Sequence, residues 1–135
     1  MTDRRLYIAY FLILAVGVAV WWALRLGSAE IRGWFFSDVF GKGEYYIFLI
    51  PDLLVIIVGS AMVCWFAVVK SWQPMSWAIW FVTGAMSYAT LLTFSLYSHL
   101  QHCTLAAVLI MATGTAGCFW MAIQARRFKA QTSST

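Results

Sequence analysis

Four long apolar runs limit what this chain can fold into. They cover residues 6–25, 45–69, 75–98 and 104–124. Each holds about 20 residues or more, which at about 1.5 Å per residue crosses the hydrocarbon core of a bilayer. Only 10% of the 135 residues are charged and 63% are hydrophobic, against roughly 25% charged in an average soluble domain. So few charges cannot clothe a water-facing shell. The pattern predicts an all-α integral membrane protein with lipid as its solvent, a four-helix transmembrane bundle running up-down-up-down. A single domain is expected over residues 1–129, with 130–135 as a polar, disordered tail.

The first run follows Arg4 and Arg5 and has the flanks of a signal peptide. A signal h-region is about 7–15 residues, however, and this run is longer, so it reads as a true span. The connections after the second and third runs are very short, which forces neighbouring helices to be antiparallel. Eight Trp and six Tyr suit membrane interfaces. One such cluster, Trp34-Phe35-Phe36, lies in the longer outer loop and reads as an aromatic anchor, with a lip over an outward pocket as the alternative.

Four crossings put Arg4, Arg5, Lys70, Arg126, Arg127 and Lys129 on one side. Arg25, Arg32 and Lys42 fall on the other, spread through the longer loop. The positive-inside rule then makes both termini cytoplasmic, in a cell or inner membrane. The net charge of +4 forms no basic stripe, so nucleic acid is not an expected partner. Cys64, Cys103 and Cys118 include no CxxC pair and their number is odd, which argues against a disulfide framework and for small packing residues.

Helices in lipid associate by close van der Waals approach, so small residues mark contact faces. Gly17, Gly59, Ser60, Gly84, Ala85, Gly114 and Gly117 are such candidates. In the third run Thr83, Ser87 and Thr90 form one polar stripe. Their hydroxyls can bond carbonyls of their own helix, or else face a ligand.

The second run contains Pro51 next to Asp52. In one reading the helix starts near Glu44 and Pro51 kinks it. Asp52 is then about two turns inside, where charge is costly, and must face the bundle or find a partner. Its neighbours on the same face are Gly59, Ser60 and Cys64. In the other reading the helix begins at Pro51, and Asp52 meets the positive end of the helix dipole. About 28 Å would then remain to Val69.

Either way Asp52 lies towards the outer face, where the topology also gathers Arg25, Glu44, Tyr97, His99 and His102. These six are the candidate ligand-binding residues. His99 and His102, with Cys103 and a carboxylate, contain zinc-type ligands but match no strong metal motif. Neither histidine lies inside a span, as a haem ligand would. No metal, cofactor or catalytic residue is assigned.

The plan resembles several groups of small membrane proteins in architecture alone. Small multidrug exporters, for example, carry a glutamate in their first span, and residues 6–25 contain no acid. Three functions remain. The first is a non-catalytic subunit or assembly partner of a membrane complex, with another membrane protein or as a homo-oligomer. The second is a binder or carrier of a lipophilic or cationic small molecule in an outward pocket around Asp52. The third is a membrane enzyme using Asp52 with His99 or His102 as acid–base groups.

Overall fold

The computed structural model describes residues 4–31, 46–95 and 104–132. Among these residues the only regular structure is helical. Helix α1 spans Arg4–Gly27, and α2 spans Tyr46–Pro51. A π-helical segment, Asp52–Ile57, joins α2 to α3, Val58–Val68. Helix α4 spans Trp72–Ser95 and α5 spans Thr104–Thr132. Four stretches are long and apolar enough to cross a membrane: Arg4–Gly27, Leu49–Val68, Trp72–Ser95 and Val108–Arg127.

Side-chain contacts show that successive helices run in opposite directions. Near the start of α1, the Ile8 carbonyl accepts a hydrogen bond from Cys64 Sγ at 3.7 Å, late in α3. Near its end, Trp22 meets Asp52, just after α2. The end of α4 meets the first half of α5 through Thr90 and Thr115, 2.8 Å apart, and Thr93 and Met111, 3.3 Å apart. Helix α1 closes the bundle against α5, where the Tyr10 hydroxyl donates to the Gly114 carbonyl at 2.6 Å.

Glycine permits close approach at three of the expected places. A methyl group on Gly59 would lie 2.5 Å from Val82 Cγ2, and one on Gly114 would lie 3.1 Å from Met86 Cε. The Tyr10 ring sits directly against Gly117. Gly17 and Gly84 differ: neither meets any neighbouring atom within 4 Å. A small residue allows contact without causing it, and these two face away from the packed core.

Tyr7, Phe11, Val63, Ile79, Val82 and Cys118 are wholly buried at the centre. Large apolar side chains also cover the outside, among them Ile13, Trp65, Leu91, Phe94 and Ile110. The polar stripe of α4 is satisfied within the bundle. Thr83 donates to Ile79 O at 2.7 Å, Ser87 to Thr83 O at 2.8 Å and Thr90 to Met86 O at 2.7 Å.

Two boundaries differ from the sequence expectation, and a third point decides between its two readings. Helix α4 starts at Trp72, not residue 75, and takes Pro74 into its first turn. Proline is tolerated there because a first-turn N–H has no intrahelical acceptor to lose. Helix α5 continues to Thr132, past residue 129, where a disordered tail was expected to begin. Lys129, Ala130 and Gln131 are good helix formers, and no Gly or Pro interrupts them. The second span does not begin at Pro51: helical backbone already runs from Tyr46.

The turn after α3 is tight. Lys70 adopts a left-handed backbone with φ of 62°. The Ser71 N–H reaches back to Phe66 O at 2.9 Å, closing a Schellman-type cap. A lysine here accepts a strained conformation but places its cation beside the negative end of the helix dipole.

Candidate functional site

Pro51 has no N–H to donate to the turn before it, so the backbone cannot keep a regular α ladder through this point. Here the chain widens into the π-helical turn Asp52–Ile57 instead of ending. Such insertions are rare and frequently occur at functional sites. The widened turn carries Asp52 on one edge and buries Ile56 on another.

Asp52 faces two ways. Its Oδ2 accepts a hydrogen bond from Trp22 Nε1 at 2.9 Å. Trp22 is only 2% exposed, so this bond is made inside the bundle. Arg25 stands one turn further along α1, with its guanidinium 4.8 Å from the centre of the Trp22 ring and 5.1 Å from that of Trp21. These positions are three and four residues apart, neighbours on one helix face. Arg25 and Asp52 attract each other electrostatically. Trp22 and Arg25 therefore form a backing that holds the carboxyl group from the α1 side.

The other side of Asp52 lines a groove of about 440 Å³ between the second span and α4. This volume falls within the usual range for small-molecule pockets, about 300–1,000 Å³. Pro51 and Val55 complete the wall contributed by the second span. Gly84, Ala85 and Ala89 form a shallow floor on α4, with Trp80, Phe81 and Tyr88 around it. Tyr88 is 60% exposed, so the groove opens through the side of the bundle rather than only at its end. Trp80 is held in place by the Arg126 guanidinium, 4.5 Å from its ring centre, and by an edge-on contact with Phe119.

Of the six residues singled out from sequence, the structure brings Asp52 and Arg25 together. Glu44, Tyr97, His99 and His102 lie outside the described residues, as do Trp34-Phe35-Phe36 and Cys103. The sequence reading missed Trp22, the direct partner of Asp52, and the α4 face that forms the groove. Depth matching was the available signal for Trp22: it lies one turn before Arg25, near the end of α1, and Asp52 lies near the start of an antiparallel span. For the groove, the signal was the small residues Gly84, Ala85 and Ala89 among aromatics at helical spacing. No group of three or more metal-ligating side chains occurs among the described residues.

Comparison with known protein families, curated proteins and solved structures gives no match for this chain.

Proposed function

We propose that this chain is a multi-pass membrane protein, with both termini in the cytoplasm, that binds a small lipophilic molecule in the groove beside Asp52. One observation carries the reading: Asp52 is held from behind by Trp22 at 2.9 Å while it lines a groove of about 440 Å³ with aromatic walls. An ionisable residue at this depth is costly in lipid and by default points to function. The orientation is supported by Arg4, which stacks 4.9 Å from the Trp72 ring centre, and by Arg126 on Trp80. With Lys70 in the adjoining turn, these cations gather towards one end of the bundle, as cytoplasmic flanks do.

The Trp22–Asp52 bond also supports a second reading. There Asp52 is a lock between two spans of a non-catalytic subunit, and the groove receives a helix of a partner protein or of a second copy. One experiment separates the two. The wild-type chain and its Asp52→Asn variant are taken from native membranes in polymer discs and weighed by native mass spectrometry. A retained small molecule in the wild type, lost from a folded Asp52→Asn protein, supports the binder. A protein partner at fixed stoichiometry in both supports the subunit.

A further inference from the structure

The proposed groove-binding role leaves open which chemistry the groove accepts, and the inference here rests on that role. Carboxylates in membrane pockets suggest cations, but the surroundings of Asp52 argue otherwise. Arg25 already supplies a positive charge close to the carboxyl group. Trp22 supplies a fixed N–H to Oδ2. A second cation would gain attraction to Asp52 but meet repulsion from Arg25 across a medium that screens poorly. It would also leave its own water behind, a heavy cost for an ion in a protein interior. A neutral donor carries neither penalty. Asp52 Oδ1 makes no hydrogen bond among the described residues, so an acceptor remains beside the groove.

The shape agrees with the charge. The groove follows α4 from Trp80 to Leu92, about 18 Å at the helical rise. Asp52, on the second span, is its one carboxyl group; Trp80 and Tyr88 add an indole N–H and a hydroxyl, and Val55, Phe81, Ala85, Ala89 and Leu92 are apolar. Tyr88, at the side opening, is exposed towards the surroundings of the bundle. A molecule dissolved in the bilayer can therefore enter sideways with its chain along α4. We infer that the groove takes an uncharged, long-chain amphiphile whose head group, a hydroxyl or amide N–H, donates a hydrogen bond to Asp52, and that it does not select organic cations.

The test uses the full chain in lipid discs loaded with equal mole fractions of one of three probes. These are hexadecanol, its methyl ether and hexadecylamine, and bound probe is counted by native mass spectrometry. The ether keeps the chain and removes the donor, while the amine adds charge. Gly84→Leu is the second variant. A Cβ on Gly84 meets no neighbouring atom within 4 Å, so a leucine is rooted in open space and its side chain takes up room in the groove. Its fold is checked by circular dichroism and its thermal midpoint.

Hexadecanol is expected to bind the wild type at least about tenfold better than the ether, the value of one hydrogen bond to a charged acceptor. It should also exceed the amine, and the preference should vanish in a folded Gly84→Leu protein. Equal binding of alcohol and ether, or tighter binding of the amine, overturns the inferred chemistry while leaving a groove that binds. No probe bound above the level of Gly84→Leu overturns both the inference and the binding role beneath it.

Discussion

Trp22 and Asp52 lie 30 residues apart in the chain, yet the indole N–H of one donates to the carboxylate oxygen of the other at 2.9 Å. The bond ties the end of α1 to the widened turn of the second span and sets which way the carboxyl group faces. Without it the side chain would be free to turn, and the groove would lose the fixed position of its polar group.

Trp22→Phe keeps most of the ring and removes the donor. Hydrogen bonds to charged groups contribute about 1.5–3 kcal/mol in water-soluble proteins. Cross-helix bonds in lipid average only about 0.6 kcal/mol, with a maximum near 1.7. Asp52 is only partly buried and also has Arg25 near it, so the lower range governs. The variant is expected to lose about 0.6–1.7 kcal/mol of stability in reversible unfolding in mixed micelles. No loss at all would mean the bond is not formed in the membrane.

The two glycines Gly59 and Gly84 should respond in opposite ways to the same change. Gly59→Ala drives a methyl group to 2.5 Å from Val82 Cγ2. Val82 is wholly buried and β-branched, so it cannot swing aside. Overpacking of this kind costs about 1–3 kcal/mol. Gly84→Ala meets open space and gains helix propensity, up to about 1 kcal/mol. Thermal midpoints of the two variants, measured in the same detergent, should therefore fall on either side of the wild type.

Lys70 pays for its left-handed backbone, φ 62°, at a turn where glycine is the usual choice. The left-handed region costs an L-residue about 1–2 kcal/mol, and glycine returns part of that gain as unfolded-state entropy. Lys70→Gly is expected to leave stability unchanged or raise it by up to about 1 kcal/mol. Lys70→Val, β-branched, should lower it by about 1 kcal/mol or more. A valine variant as stable as the wild type would contradict the strained turn.

Much of the fold was legible because hydropathy and length are the two quantities a bilayer reads. Residues 6–25 and 45–69 map onto Arg4–Gly27 and the helical run from Tyr46 to Val68. The helix through Pro51 followed from the lack of a breaker in residues 45–50. The π turn after it did not, since the sequence of an α and a π turn looks the same and the choice depends on where displaced carbonyls find donors. Small residues showed the same limit. Gly17 and Gly117 read alike, but only Gly117 has a tyrosine against it. The Thr83, Ser87 and Thr90 stripe was readable in its local part, each hydroxyl bonding a carbonyl four residues back. The bond between Thr90 and Thr115 needed the register of α4 against α5, which no local pattern carries. At the site, Asp52 and Arg25 stood out as charges in apolar runs, whereas the groove is made of residues unremarkable in themselves.

The central claim is that the groove beside Asp52 holds one kind of small molecule. It is tested most directly by replacing Tyr88, on the groove, with a photoreactive phenylalanine analogue and irradiating native membranes. Trp120, which is 52% exposed on α5 and does not line the groove, serves as the reference position. The account predicts a single dominant adduct at position 88, of lipid-like mass and absent from Gly84→Leu, and a mixture of bulk lipids at position 120. The same bulk-lipid mixture at both positions, or a protein adduct at position 88, would contradict it.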